Sequence, residues 1–369
     1  DPTGPDIPPS EVITEGDEEA YEALMEDHLE FGDGDTLMPA QRDAVVDGLS
    51  TRVHLVHGPP GTGKTTTTAM AVLFRILDRR EEGDRMVVTG STHQAVNTLL
   101  SRIQEYAEFF GDEVEDFGFE MPSVDVVKVS SSDPDPSNAP EGDIDVFEAE
   151  SNYRRWNQRN DGSVLIIGGT VSAVLKDFRD LDDLSSVDAP YQVRELVVDE
   201  ASMMVFPHFL ALSTIVEEDG YILLSGDHRQ LSPIVAHEWE EEDRPPIELY
   251  QPYASAFEAV RDLERDENIA ENELNGSALQ HTFRLPPAIR ALIRGLYQSM
   301  DELELHGEMA EEFETPDREY ENPLEAVWDS DVGLFLIAHD ERESRLSNNF
   351  EATLTRRIIE SGQDIADDS

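Results

Sequence analysis

The chain contains no cysteine, and only three of its 369 residues are lysine: Lys64, Lys128 and Lys176. Without cysteine there is no disulfide scaffold, no thiolate zinc site and no thiol nucleophile. No apolar run comes near the roughly 20 residues that a membrane helix needs. The longest, such as residues 164–168, are the size of a strand. The first residues are acidic and rich in proline, unlike a secretory signal, so the expected location is the cytoplasm, away from membranes. The chain opens on Asp1 and not on Met, as expected of a fragment.

Positive charge is scarce throughout. Lys and Arg total 27 against 81 Asp and Glu, a formal net charge of −54. Such a surplus ordinarily repels a phosphate-bearing partner. It also suits a disordered acidic tail, but here it is spread along the whole chain. With 38% of residues hydrophobic, a folded core is within reach. Few lysines, retained arginines and carboxylates everywhere resemble proteins of halophilic archaea. In molar salt the Debye length is about 3 Å. Self-repulsion and repulsion of phosphate are then both screened, and the charge ceases to exclude a nucleic acid.

Residues 1–35 read as an acidic linker with one helix over 18–29. Residues 36–250 carry an α/β rhythm, with strands expected over 52–56, 86–89, 124–129, 164–168, 195–198 and 221–225. A helix is expected over 94–106, where Val96, Leu99, Leu100 and Ile103 make one apolar stripe. The fold class that follows is α/β, a parallel sheet with helices on both faces. An acidic insertion occupies about 111–160. Between 111 and 150 it sets thirteen carboxylates against the single cation Lys128, and it reads as solvated surface and not as a groove. Residues 251–278 read as a connecting segment. Residues 279–369 read as a partial second α/β domain, with a helix over 287–300, a strand over 332–338 and a helix over 349–361.

The run Gly58-Pro59-Pro60-Gly61-Thr62-Gly63-Lys64-Thr65 fits G-x-x-x-x-G-K-[ST] between an apolar strand and a helix-compatible stretch. Glycines let backbone N–H groups wrap a β-phosphate, and the helix N-terminus adds its dipole. Lys64 would then reach the β- and γ-phosphates, the hydroxyl of Thr65 would be a Mg²⁺ ligand, and Thr66 would close the nucleotide-binding run. About 135 residues later the apolar run Leu196-Val197-Val198 ends in Asp199 and Glu200. Open parallel sheets bind ligands at such strand ends. Asp199 suits Mg²⁺, and Glu200 suits a base that orients or deprotonates water. His54 and His57 point to opposite faces of one strand and make a poor metal pair.

Further motifs narrow the reading. The segment Gly226-Asp227-His228-Arg229-Gln230-Leu231-Ser232-Pro233 resembles motif III of superfamily 1 helicases, and Asp199-Glu200-Ala201-Ser202 resembles their motif II. Leu37-Met38-Pro39-Ala40-Gln41 is similar to the Q motif. Ser91-Thr92-His93-Gln94-Ala95-Val96-Asn97 is similar to motif Ia. Gln280-His281-Thr282-Phe283-Arg284-Leu285-Pro286-Pro287 resembles motif IV of the Upf-like branch. The resemblance implies a RecA-like ATP-binding domain followed by a truncated second one. It implies ATP and Mg²⁺ as cofactors and single-stranded DNA or RNA as partner, worked on by a monomer. Gln41 would read adenine, Gln230 would sense the γ-phosphate, and Arg284 would bring it a cation. Phe283 would stack on the base or fill a core. Thr92, His93, Gln94, Asn97, Gly169 and Thr170 would touch the nucleic acid.

The resemblance also has gaps. Motifs V and VI belong late in the second domain, and the chain ends before them; the family's β-barrel is missing as well. The expected activity is a helicase or translocase core. The alternative is a P-loop ATPase, or a nucleotide-binding module, that does not unwind.

Overall fold

Strands whose two faces are both covered must be apolar at successive positions, and that is how the strands of this chain are built. In the computed structural model of the protein the described residues are 15–27, 36–79, 84–116, 119–132, 136–149, 163–178, 192–233, 254–265, 269–285, 287–301, 303, 305–307, 353 and 355–357. They fall into two compact units, Asp1–His281 and Thr282–Ser369.

The first unit opens with helices α1 (Glu15–Asp27) and α2 (Pro39–Leu49). The α/β alternation follows as β1 (Val53–His57), α3 (Lys64–Arg79), β2 (Arg85–Gly90), α4 (His93–Asp116), β3 (Val124–Ser130), β4 (Asp145–Glu148) and β5 (Val164–Thr170). It continues as α5 (Val171–Phe178), β6 (Val193–Asp199), α6 (Phe206–Ser213), β7 (Val216–Gly226), α7 (Ala256–Glu264) and β8 (Leu274–Ala278). The eight strands form one sheet in the order β4-β3-β5-β2-β6-β7-β1-β8, and the paired strands run parallel. The α/β expectation for this domain holds.

The core lies on both faces of the sheet. Val88 and Val197 pack with Leu24, Leu49, Phe74 and Leu100 from α1 to α4. Their chain neighbours Val87, Leu196 and Val198 pack with Val174, Phe209 and Phe257 from α5 to α7. Each fully buried side chain of this size contributes roughly 1.5–3 kcal/mol. Gly168 lets α4 approach the sheet closely: a Cβ there would collide with Leu100 Cδ1 and stand 2.6 and 2.8 Å from its Cδ2 and Cγ.

Three expectations change. Helix α4 runs to Asp116 and not to 106, because Tyr106, Phe110 and Val114 continue its buried stripe at four-residue steps. The insertion therefore starts later than about 111. It is also more than solvated surface. Its described part adds edge strand β4 and bonds back to α4, with Asn97 Nδ2 donating to the Asn138 carbonyl (3.0 Å) and Ser101 Oγ to that of Glu141 (2.8 Å). A polar cleft of about 560 Å³ lies between the two, lined by Gln94, Asn97, Arg102, Asn138 and Glu141 among others. Third, the segment expected to connect two domains carries α7 and β8. β8 pairs with β1 from Val53↔Leu274 to His57↔Ala278.

Helix α8 (Pro287–Asp301) and the short strand His306–Gly307 belong to the second unit. The strand expected over 332–338 lies outside the described residues. Of the helix expected over 349–361, residues 353 and 355–357 are described, and they are helical. Among the described residues no helix is long and apolar enough to cross a membrane.

Candidate functional site

The carboxyl ends of β1, β6 and β7 sit side by side in the sheet, and the loops that leave them carry the strongest sequence signals. After β1 the chain turns through Gly61 (φ 77°) and Gly63 (φ 78°), a conformation that L side chains rarely adopt. A Cβ on Gly58 would collide with Thr62 Oγ1 and stand 3.0 Å from Lys64 Cγ. The loop braces itself: Thr62 Oγ1 donates to the Pro59 carbonyl at 2.9 Å, and Gly58 N donates to Gly226 O at 3.2 Å. Pro60, Gly61 and Thr65 are each partly exposed along it. Lys64 opens the 16-residue helix α3 and folds its Nζ back to the carbonyl oxygens of Gly58 (2.6 Å) and Pro59 (3.4 Å). An ammonium and a helix N-terminus thus face one concave loop, which suits a phosphate.

Asp199 ends β6 and is 3% exposed. Its carboxyl is pushed up to about 6, by burial first and by the Glu200 charge, against the Glu200 amide, Lys64 and the Ser225 hydroxyl, which pull it down. The Glu200 N–H donates to Asp199 Oδ1 at 2.9 Å. A buried carboxylate of this kind gains from a cation beside it, as the chemistry of a Mg²⁺ ligand requires. Glu200 has φ 51° and ψ 40° and is the only non-glycine residue at positive φ among the described residues. Such backbone costs of order 1–3 kcal/mol and aims the side chain in a direction an ordinary strand end would not.

Gln41 is buried, with Oε1 accepting from Met38 N (2.9 Å) and Nε2 donating to the Thr62 carbonyl (3.2 Å). In this structure it positions the phosphate loop. Gln230 is exposed and closes a turn, its N–H donating to the Asp227 carbonyl at 3.0 Å. The Thr66 hydroxyl faces α4 and accepts from Arg102 Nη1 (3.0 Å). Arg102 was not legible as a loop partner, because it is one of 24 arginines and lies off the apolar stripe.

A cluster missed by the sequence reading sits under the loop. His57 Nε2 lies 3.5 Å from Asp227 Oδ1, and its ring centroid is 4.7 Å from that of His228. His57 and His228 stand 171 positions apart, so only the pairing of β1 with β7 brings them together. His54 is fully buried, and burial together with nearby Arg75 pushes it down to about 3, so it is a neutral core residue.

The expected nucleic-acid residues follow the ends of β2 and β5. In the sheet Gly90 is level with Thr170 on one side and with Asp199 on the other. Thr92 caps α4, its Oγ1 accepting from Ala95 N (3.1 Å), and its hydroxyl also meets Glu200 Oε2 at 3.4 Å. Gln94 is exposed, while Asn97 is engaged by the insertion. Burial pushes the His93 imidazole down, and the charge of Lys128 adds to this. Gly169 is buried and Thr170 half-buried. In the second unit Phe283 and Arg284 are both exposed, and Arg284 N donates to Thr282 Oγ1 at 3.4 Å. Phe283 is therefore not a core aromatic.

Comparison with known proteins gives matches of three kinds. A family profile described as an AAA domain covers residues 41–236, just over half of the chain. The DNA-binding protein SMUBP-2 of Rattus norvegicus is 39% identical over 69 residues, 18% of this chain and 7% of that protein. Its namesake in Mesocricetus auratus is 38% identical over 68 residues, 18% and 6% of the two chains. The matched segment thus spans less than a tenth of either relative. Among solved structures, the arterivirus nonstructural protein 10 helicase in complex with DNA aligns at a TM-score of 0.34 and 14% identity, over 76% of this chain and 47% of its own. The UvsW helicase of bacteriophage T4 aligns at 0.38 and 15%, over 59% and 61%. Lys64, Asp199, Glu200 and Gln230 all fall inside the profile match, and on that match the chain belongs to the AAA domain family of P-loop proteins.

Proposed function

We propose that this chain is the motor core of an ATP-dependent helicase or translocase that works on single-stranded DNA or RNA, in the Upf-like branch of superfamily 1. We place it, as a monomer, in the cytoplasm of a halophilic archaeon, with residues 279–369 beginning a second domain of the same type. The observation that carries the reading is the division of one sheet edge. The ends of β1, β6 and β7 hold phosphate-type and carboxylate chemistry, and the ends of β2 and β5 hold neutral polar groups beside it. The DNA-binding name of the curated relatives supports a strand as partner.

In this reading Lys64 leaves its resting carbonyls for the β- and γ-phosphates of ATP. Thr65 and Asp199 hold Mg²⁺, which when bound neutralises phosphate charge. Glu200 orients the attacking water or takes its proton, and Gln230 senses whether the γ-phosphate is present. Arg284 keeps the role its motif implies, a cation for the transferred phosphate. Gln41 already bridges the loop and the start of α2. It has one further N–H to offer an adenine.

The test is phosphate release by the full chain in molar KCl, with and without single-stranded DNA or RNA. Stimulation by a strand is expected, and Lys64→Ala is expected to weaken Mg-ATP binding by calorimetry. No stimulation by either strand, or unchanged affinity in Lys64→Ala, would overturn the assignment. A melting temperature that does not rise from low to molar KCl would remove the halophile part alone.

A further inference from the structure

We propose that His57, Asp227 and His228 form a binding site for a divalent transition ion of the Zn²⁺ class, separate from the Mg²⁺ site expected at Thr65 and Asp199. The inference goes beyond the motor reading and does not depend on it.

Strand alternation turns His57 away from His54, so those two cannot share an ion. The parallel register of β1 with β7 sets His57 level with Gly226, and so beside the two residues that follow it. One ligand atom each from His57, Asp227 and His228 lies within 4.8 Å of the other two. Among the described residues no other group of three or more His, Asp or Glu side chains comes together in this way. The chain has 81 carboxylates and 10 histidines, so chance crowding of charge would have produced more than one.

The spacing suits an ion. Zn²⁺ holds nitrogen and oxygen ligands at about 2.0–2.2 Å, which sets two of them roughly 3.3–3.6 Å apart in a tetrahedron. His57 Nε2 and Asp227 Oδ1 already stand at 3.5 Å. The His228 ring lies 4.7 Å from that of His57, centroid to centroid, on a turn where it is half-buried and can rotate to close the remaining gap. The Arg229 N–H donates to Asp227 Oδ1 at 3.0 Å and fixes the carboxylate, the outer support that metal ligands need. Phe257 walls the apolar side, its ring 5.9 Å from that of His57.

The donor set selects the ion. Two imidazoles and one carboxylate suit Zn²⁺, Co²⁺ or Ni²⁺, whereas Mg²⁺ takes oxygen ligands. Asp227 is 0% exposed, and a cation offsets the burial of its charge. Three protein ligands leave a fourth position for water. The ion would tie the strand end that feeds the phosphate loop to the turn that carries Gln230, where Gly58 N already donates to Gly226 O.

Co²⁺ is the probe, because the four-coordinate ion absorbs strongly in the visible and the six-coordinate ion on surface carboxylates does not. The chain in molar KCl with excess Mg²⁺ is titrated with Co²⁺, and Zn²⁺ is then added to displace it. One equivalent of strongly absorbing Co²⁺ is expected, and a melting temperature that rises with Zn²⁺ concentration. His228→Ala and His57→Phe should each lose the band. Each should weaken Zn²⁺ binding by more than about 100-fold, the upper end of what losing an outer-shell partner costs. Asp199→Asn, which removes a Mg²⁺ ligand, should keep the band. The melting temperature without metal reports folding separately, and if His57→Phe does not fold, His228→Ala decides. No band in the wild type, or a band that survives in His228→Ala, would overturn the site. A band that Asp199→Asn or excess Mg²⁺ abolishes would also overturn it, because the ion would then sit in the Mg²⁺ position.

Discussion

Asp199→Asn is expected to make the nucleotide-free protein more stable at neutral pH, although it removes a group central to the site. The native carboxyl sits at about 6 against an ordinary value of 3.8, with burial as the leading cause. At about 1.36 kcal/mol for each tenfold change in proton affinity, that displacement makes the buried carboxylate roughly 3 kcal/mol unfavourable well above pH 6. Asn has the same shape and can still accept the Glu200 N–H, but it must find an acceptor for its own amide protons, which costs about 1–3 kcal/mol where none is met. A net gain of up to about 2 kcal/mol is left, or up to about 8 °C in Tm for a unit of this size.

The pH dependence fixes the cause. A carboxyl whose native pKa is raised favours folding most when protonated, so its contribution is complete below about pH 4 and lost as pH rises through about 6. Asn should therefore be no better than wild type near pH 4, where only its amide cost remains, gain at about pH 5 and reach its full advantage above about pH 7. It should persist in molar KCl, because salt screens the Glu200 charge but does not relieve burial. Thermal and denaturant unfolding at two pH values would measure it. An Asn variant no more stable than wild type at about pH 8, or a gap that does not change with pH, would refute the reasoning.

The pair Arg75 and Glu195 gives a second outcome. Arg75 Nη1 bonds Glu195 Oε1, and Nη2 bonds the Gly48 carbonyl at 2.9 Å, with the two side chains 0% and 5% exposed. Arg75→Met should cost roughly 3–5 kcal/mol by stranding the Glu195 charge, and adding Glu195→Leu should recover most of it. Denaturant unfolding of the two singles and the double is the check, and a double variant no better than Arg75→Met would contradict it. Gly168→Ala should cost about 1–3 kcal/mol, because its Cβ has no room beneath Leu100. Leu100→Ala in the same chain should absorb part of that cost, read as non-additive shifts in Tm.

Most of the sheet was legible because its strands are covered on both faces. Val87-Val88 and Leu196-Val197-Val198 divide between two separate core clusters, so they appear in the sequence as unbroken apolar runs. The strands that escaped are the two at the edges. β4 is Asp-Val-Phe-Glu and β8 is Leu-Asn-Gly-Ser-Ala, and neither carries such a run. β8 is held by its register with β1, a relation between positions more than 200 residues apart. The extra length of α4 was hidden by Gly111 and the carboxylates around it, which mask the spacing of Tyr106, Phe110 and Val114.

The site divides along the same line. The phosphate loop and the Asp199–Glu200 pair are written in consecutive residues, and local backbone geometry builds them wherever a strand precedes. The wiring between them is not. Thr92 and Glu200 stand 108 positions apart, Arg75 and Glu195 120, and Thr66 and Arg102 36. Each contact exists because sheet order or helix packing sets two elements side by side. In a chain of 81 carboxylates, residue type alone cannot point to the few that matter. Burial can: among the described residues Asp177, Glu195, Asp199 and Asp227 are the buried ones. Charge has reason to stay outside, where it is hydrated at no cost. A carboxylate taken inside needs a partner to offset its desolvation. Glu195 has Arg75, and Asp227 has the Arg229 N–H at 3.0 Å with His57 beside it. Asp199 is displaced to about 6 because the Glu200 amide and Lys64 only partly oppose burial, and that deficit is what a bound cation would fill.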